Sequence, residues 1–80
     1  MMNKAEKRKL EIKVYSDAYC LIENYGDFQL KEMESWKDTK KEILEENPEA
    51  DTEWYDEHIE ELELQFNASQ KVMEVIFKLM

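Results

Sequence analysis

Glycine and proline are nearly absent from these 80 residues, since each occurs once, at Gly26 and Pro48. A turn-rich β fold needs many more such residues. The chain is instead rich in Glu, Lys, Leu and Met, which favour helices. The two breakers divide it into segments 1–25, 27–47 and 49–80. The sequence therefore predicts a single small domain over residues 1–80, all-α, with the fold of a three-helix bundle.

Cysteine also occurs only once, at Cys20. One cysteine excludes an internal disulfide and a cysteine metal cluster, and we expect Cys20 to be a small packed residue. The first residues are charged and lack the apolar run of a signal peptide. No stretch approaches the roughly 18 apolar residues that a membrane span requires. We therefore expect a cytoplasmic protein that has no membrane partner.

Lysine and arginine are missing from a long stretch that is crowded with acids. Between Glu42 and Glu63 there are eleven carboxylates and no basic residue, in a chain with a formal net charge of −9. The composition, 42% hydrophobic and 11% aromatic, is too apolar for a disordered acidic tail. A field of one sign attracts basic surfaces and repels nucleic acid and anionic membranes. The eleven acids are Glu42, Glu45, Glu46, Glu49, Asp51, Glu53, Asp56, Glu57, Glu60, Glu61 and Glu63.

Motifs for catalysis and for cofactor binding are lacking. His58 is the only histidine, and no nucleophile or second base stands at local spacing from it. A calcium loop needs a glycine at its sharp bend, and residues 49–63 contain none. We therefore expect no enzyme, no cofactor and no dedicated metal site.

The first segment allows two interpretations. Its apolar residues recur at helical spacing and would form one face of a helix that ends at Gly26. That face consists of Leu10, Val14, Ala18, Leu21, Ile22 and Tyr25. The alternation of Leu10, Ile12 and Val14, followed by a possible turn at Ser16, indicates a β-hairpin instead. The alternative fold is therefore α+β, with an N-terminal β-hairpin followed by two helices.

The second segment predicts a helix that carries Phe28, Met33, Trp36, Ile43 and Leu44 on one broad face. Its start is left open between Asp27 and Ser35, either of which can cap a helix. Its end is set by Pro48, which disfavours helical geometry in the residue before it.

The third segment predicts one helix from about Thr52 to the C-terminus. Its apolar residues step by three and four, as in the seam of a coiled coil, and only Ser69 interrupts them. A break near Asn67 is the alternative. The seam comprises Ile59, Leu62, Phe66, Ser69, Met73, Ile76 and Met80.

The last turns of this helix are apolar nearly all round. A helix of that kind is normally buried on all sides, and one small chain can hardly surround it. Either the first two segments wrap this helix closely or a second chain covers it, and the second alternative predicts a homodimer that forms through the C-terminal helix. The residues predicted for self-association are Val72, Met73, Val75, Ile76, Phe77, Leu79 and Met80.

The acidic run is the candidate site for a partner. Acids three and four residues apart on a helix repel one another, so the run destabilises the helix that carries it. Trp54 and Tyr55 lie within the run, and both residue types are favoured anchors in protein interfaces. The predicted partner-binding residues are Glu49, Asp51, Glu53, Trp54, Tyr55, Asp56, Glu57, Glu60 and Glu61.

In size and charge the chain resembles the small acidic inhibitors that phages and mobile elements carry. These include anti-restriction and anti-CRISPR proteins, and some antitoxins and nuclease immunity proteins are similar. The resemblance implies an inhibitor that occupies a basic, nucleic-acid-binding surface of a target protein by phosphate mimicry and binds no nucleic acid directly. The alternative is a homodimeric helical regulator or adaptor that acts through an apolar helix surface, with acids that serve only solubility.

Overall fold

The protein is a long antiparallel helical hairpin. The computed structural model describes all of residues 1–80 and contains two helices, α1 (Lys4–Glu46) and α2 (Glu53–Leu79), joined by residues 47–52. The molecule measures 68 × 14 × 14 Å, and α1 accounts for most of its length because 43 helical residues rise about 65 Å. The predicted three-helix bundle is therefore wrong, and so is the α+β alternative with an N-terminal β-hairpin.

The main correction concerns Gly26, which was expected to end a helix. It lies inside α1, is buried, and does not have a positive φ. A glycine within a helix costs about 1 kcal/mol relative to alanine, and packing of α1 against α2 can offset a cost of this size. Its role is close approach, because a Cβ at position 26 would lie 2.6 Å from Oγ of Ser69 on α2. The first two predicted segments thus form one helix, and neither Asp27 nor Ser35 caps it.

The ends of the helices follow local sequence signals. The Asn3 side chain caps α1 by accepting a hydrogen bond from the Glu6 N–H at 2.9 Å. The prediction that the helix stops before Pro48 is confirmed, since α1 ends at Glu46. The prediction that the next helix begins near Thr52 is also confirmed, and no break occurs at Asn67.

The contact between the helices is narrow. On α2 it uses the predicted seam, with Leu62, Ser69 and Met73 buried. On α1, only Met33 and Gly26 are buried, and the other residues at the contact are partly covered. The hairpin therefore has a thin core, with only three large apolar side chains below 10% exposure.

The predicted apolar face of the first segment is divided by this packing. Ala18 and Ile22 are half-buried against α2, but Leu10, Val14 and Leu21 are exposed. Tyr15 and Tyr19 take the remaining places at the contact. Because α1 packs on a single helix, it can cover only one stripe of its surface, and the other apolar residues face outward.

The open end of the hairpin is fastened by one arginine. The Arg8 guanidinium donates hydrogen bonds to the carbonyl oxygens of Leu79 and Met80, at 2.9 and 2.8 Å. The last carbonyls of a helix have no partner within the helix and carry partial negative charge. Arg8 therefore caps α2 from the neighbouring helix. Neither α1 nor α2 includes a stretch that is both apolar enough and long enough to cross a membrane.

Candidate functional site: the acidic end of the hairpin

The eleven carboxylates of the sequence run gather at the closed end of the hairpin. We call residues 42–63 the acidic end; it comprises the last turn of α1, the connection and the first turns of α2. All eleven acids are exposed. The helix rise places them along about 25 Å of the rod, or about one carboxylate per 2 Å. For comparison, duplex DNA carries one charge per about 1.7 Å of its axis.

Three lysines of α1 stand next to the acidic end and reduce its charge. They are Lys37, Lys40 and Lys41, and no further basic residue follows before Lys71. Residues 37–63 contain twelve acids and three lysines, so the whole formal charge of −9 lies in this part of the chain. The remaining residues balance at eight acids and eight bases. The rod is therefore strongly polarised along its length.

The lysines act on one side of the acidic end only. Lys40 forms an ion pair with Asp56, and both lie in an open groove of about 630 Å³ between the helices. The groove is lined by Lys37, Lys40, Lys41, Leu44, Glu45, Asp56 and Ile59. On this side lysines and carboxylates lie side by side, so the surface charge is mixed and is not uniformly negative.

Asp56 is held in its charged form by this arrangement. The hydrogen bond from Lys40 lowers the pKa of Asp56 below its ordinary value, and it outweighs the opposing effect of partial desolvation. The charge of Lys40 and a hydrogen bond from the Thr52 hydroxyl, at 3.2 Å, act in the same direction. Asp56 is the one acid of the eleven that has an ion-pair partner.

The outer side of α2 carries an acidic ridge that has no counterion. We define the acidic ridge as Glu53, Glu57, Glu60 and Glu61, which follow one another at helical spacing opposite the seam that contacts α1. All four side chains are exposed and none forms a salt bridge. The ridge therefore presents a row of free carboxylates to an approaching surface.

An aromatic cluster borders the ridge. Trp54 stacks on His58 with ring centroids 5.2 Å apart, and its edge meets Trp36 of α1 at 5.3 Å. Tyr55 contacts both tryptophans, at 5.0 and 5.8 Å. Trp36, Tyr55 and His58 are half-buried, whereas Trp54 is 58% exposed. His58 thus serves as a packing surface for Trp54, and the cluster offers one large aromatic face to a partner.

The nine residues predicted for partner binding all lie at the acidic end, and the structure divides them. Glu53, Glu57, Glu60 and Glu61 form the ridge, with Trp54 beside them. Glu49 and Asp51 lie in the connection, where Asp51 accepts a hydrogen bond from the Glu53 N–H at 2.9 Å. Asp56 turns toward the lysines, and Tyr55 packs in the aromatic cluster.

The seven residues predicted for self-association lie at the other end and are also divided. Met73 is buried against α1 and Ile76 is half-buried there, so these two hold the hairpin together. The other five, which are exposed, are Val72, Val75, Phe77, Leu79 and Met80.

Sequence reasoning missed three features of the surface. It did not predict that Lys40 faces Asp56, although Lys40 continues the 3–4 spacing of the α1 contact residues Met33 and Trp36. It did not separate Val14 and Leu21 from the intramolecular contact. It also treated Cys20 as packed, whereas this cysteine is exposed.

No three side chains of His, Cys, Asp or Glu are grouped so that they could hold a metal ion. The acidic end is thus an extended anionic surface that has an aromatic neighbour. Comparison with known proteins finds no family model that matches this chain, and no curated protein or solved structure that is similar to it.

Proposed function

We propose that the protein is a non-enzymatic inhibitor that acts in the cytoplasm and uses its acidic end to occupy the basic, nucleic-acid-binding surface of a target protein. The observation that supports this function best is the acidic ridge, which displays four unpaired carboxylates on the outside of α2. They occur about once per 3 Å of helix rise, close to the one charge per 3.4 Å of a single nucleic acid strand, so a cleft that binds phosphates would also attract this surface.

Trp54 supplies the part of the contact that charge alone does not. It is 58% exposed and adjoins the ridge, and its ring is supported by His58 and Trp36. A preorganised tryptophan loses little conformational entropy on binding and is a frequent hot spot. In the proposed complex the ridge steers association and Trp54 limits dissociation. The proposed target is an enzyme or complex that handles nucleic acid, which is the kind of target that anti-defence and antitoxin inhibitors bind.

The charge of the ridge is tested with a matched pair of variants. The ridge variant carries Glu53→Gln, Glu57→Gln, Glu60→Gln and Glu61→Gln. The control variant removes four exposed acids elsewhere, through Asp17→Asn, Glu23→Gln, Asp27→Asn and Glu74→Gln, so both change the net charge equally.

The target is first captured from a host lysate and purified, and its affinities for the protein and for labelled DNA or RNA are then measured. We expect the ridge variant to bind at least about tenfold more weakly and the control variant to bind normally. The protein should displace the nucleic acid, and its affinity should fall as salt rises from 50 to 300 mM, because screening weakens charge attraction. Equal binding by both variants, or simultaneous binding of protein and nucleic acid, would refute phosphate mimicry.

A second function is favoured by a different observation, the apolar surface that the hairpin leaves open away from the acidic end. A helical regulator or adaptor would bind its partner there. In that case the ridge variant would retain the partner, and Leu21→Glu, which changes the exposed apolar surface of α1, would lose it.

A further inference from the structure

α1 carries a second apolar stripe beside its contact with α2, and every residue of this stripe except Ala18 is exposed in the hairpin. Its residues step by 4, 3, 4 and 3, the spacing of a second helix-packing seam. Val14, Leu21 and Phe28 are 63%, 70% and 61% exposed, although each is a large apolar side chain. The stripe consists of Val14, Ala18, Leu21, Tyr25 and Phe28.

α2 has a matching stripe near its C-terminal end. It steps by 4, 3 and 4, and Val75 within it is 59% exposed. Sequence reasoning assigned three of its residues to self-association but did not connect them with α1. The stripe consists of Ala68, Val72, Val75 and Leu79.

The two stripes lie on one face of the hairpin. Two antiparallel helices that pack along their seams leave two flanks, one on each side of the contact. The residues directly before the seam residues of both helices lie on one flank, and the residues directly after them lie on the opposite flank. Lys37 follows Trp36 and Asp56 follows Tyr55, both half-buried at the contact, and Lys37 and Asp56 line the same groove. Tyr25 precedes Gly26 and Val72 precedes Met73, so both lie on the side away from that groove.

The stripes are also centred at the same level along the rod. Gly26 and Ser69 are directly opposed across the contact. Counting equal numbers of residues from this pair brings Leu21, the midpoint of the α1 stripe, opposite Glu74. The midpoint of the α2 stripe falls between Met73 and Glu74. A single two-fold axis at this level can therefore place both stripes of one chain against the same two stripes of a second chain.

The amount of exposed surface also indicates a second copy. The hairpin exposes 6532 Å², against about 5,100 Å² for a compact monomeric protein of 9.7 kDa. The excess of about 1,400 Å² exceeds the roughly 800 Å² that each partner of a stable complex buries. The radius of gyration, 19.3 Å against about 12 Å for a compact chain of this length, agrees with an unpartnered element.

We propose that this face is covered by a second copy of the chain, which packs antiparallel on it about a two-fold axis beside Leu21. Each α1 stripe then lies on its symmetry mate, and each α2 stripe on its own mate. The product is a four-helix bundle whose two acidic ends project at opposite ends. The proposal rests on the apolar stripes and not on the function proposed for the acidic end.

The charges determine the orientation. A parallel dimer would place the two acidic ends, each with eleven carboxylates and no basic residue, side by side. The antiparallel dimer places the centres of the acidic ends about 55 Å apart, which is several times the Debye length at physiological salt. It also brings the basic arm, residues 4–13, alongside residues 29–38 of the partner's α1. The partner's Glu32, Glu34, Glu60 and Glu61 are all at this level of the rod.

Sedimentation equilibrium on the full chain tests association, with a matched pair of leucine variants. Leu21 and Leu64 are exposed to a similar extent, 70% and 62%, but only Leu21 belongs to the stripes. We expect the unaltered protein and Leu64→Glu to have twice the chain mass at 20 μM. Leu21→Glu places two carboxylates at the two-fold axis and should weaken the dimer by at least about a hundredfold, an effect typical of an interface hot spot.

Cross-linking tests the orientation of the two copies. It also tests whether the dimer forms if Leu21→Glu unfolds the chain. Lys7 and Ser35 lie fourteen residues on either side of Leu21, so the antiparallel dimer brings Lys7 of one copy next to the partner's Ser35. Within one chain these residues are about 42 Å apart, beyond the reach of a short bismaleimide. Two proteins are prepared in a Cys20→Ser background, one with Lys7→Cys and the other with Ser35→Cys, and one carries a mass tag.

We expect a cross-linked species only when the two proteins are mixed, with mass spectrometry joining position 7 to position 35. Links between identical positions in the unmixed proteins would demonstrate a parallel dimer and overturn the proposal. A monomeric unaltered protein would overturn it as well, since the face would then serve another occupant. Equal dissociation by Leu21→Glu and Leu64→Glu would place the interface elsewhere.

Discussion

At the scale of single residues, the closest point of the hairpin is the contact between Gly26 and Ser69. Ser69 is 4% exposed, and its hydroxyl donates a hydrogen bond to the carbonyl oxygen of Phe66 at 2.6 Å. An added Cβ at position 26 would meet this hydroxyl at 2.6 Å but the Ser69 Cβ only at 3.6 Å. The hydroxyl is therefore the obstacle to a larger residue on α1, and the backbone is not.

A double-mutant cycle at this contact follows from that geometry. In the unaltered background, Gly26→Ala should leave the free energy of unfolding nearly unchanged or lower it, because the clash with Ser69 offsets the gain in helix propensity. In a Ser69→Ala background the same change should stabilise by up to about 1 kcal/mol. Urea unfolding followed by circular dichroism, at one fixed protein concentration, measures both effects. The same gain in both backgrounds would show that Ser69 does not restrict position 26.

Asp56 provides a second prediction at this scale, on pH. Because the pKa of Asp56 is lowered in the folded protein, its ion pair with Lys40 stabilises the fold at pH values above the ordinary Asp pKa of about 3.9. The stabilisation disappears as pH falls through the lowered pKa. The unaltered protein should therefore have a higher Tm than Asp56→Asn at pH 7, and the difference should shrink as the pH falls below the ordinary pKa of Asp.

Glu57→Gln is the matched control for this experiment. Glu57 is a neighbour in the same acidic turn of α2 but has no ion-pair partner, so its neutralisation only relieves repulsion. We expect an unchanged or raised Tm at pH 7. If Asp56→Asn and Glu57→Gln shift Tm in the same direction, Lys40 does not compensate the charge of Asp56.

At the scale of the elements, α2 depends on very few buried side chains. Leu62 is 6% exposed and lies in the seam, while Leu64, two residues later, is 62% exposed. Leu62→Ala should lower the free energy of unfolding by about 2 to 4 kcal/mol, through lost apolar contact and the cavity that it leaves. For a hairpin with only three buried apolar side chains, this is a large share of its stability.

Leu64→Ala is the control, because it makes the same chemical change on the same helix. It should alter the free energy of unfolding by less than about 0.5 kcal/mol, as exposed substitutions generally do. Thermal and urea unfolding of the two variants at equal concentration give the comparison. A comparable loss in both would mean that Leu64 is covered, which neither the hairpin nor the proposed dimer allows.

The elements also show which part of the fold could be predicted from the sequence. The boundary at Pro48 and the seam of α2 follow from local chemistry, since proline cannot continue a helix and a 3–4 spacing forms a stripe. Gly26 misled the prediction because the same residue type serves a helix end and a close helix crossing. The crossing depends on Ser69, which is 43 positions away, and a local pattern carries no information about it.

At the scale of the whole molecule, the hairpin separates charge from apolar surface along its axis. That the acids form a candidate site could be predicted, because a one-signed run stays together on any short stretch of helix. Its division into a free ridge and a side compensated by Lys37, Lys40 and Lys41 could not, because the lysines are brought there by tertiary pairing. The exposed apolar face was equally hidden, since its two stripes join only when α1 and α2 pair.

Repulsion within the acidic end makes the stability of the whole molecule sensitive to salt. The Debye length falls from about 30 Å at 10 mM to about 8 Å at 150 mM ionic strength, which isolates the ridge carboxylates from the rest of the acidic end. The unaltered protein should therefore gain Tm over this range of NaCl. The variant that neutralises Glu53, Glu57, Glu60 and Glu61 should start from a higher Tm and gain less.

The control variant, which neutralises Asp17, Glu23, Asp27 and Glu74, should retain the salt response of the unaltered protein. Its acids are spread over a part of the rod where charges of both signs balance. Calorimetry of the three proteins at the same concentration measures the response while holding any contribution from dimerisation comparable. Equal slopes for all three would mean that the ridge stores no repulsion, and the carboxylates would then be an ordinary solvated surface with no free energy to release to a basic partner.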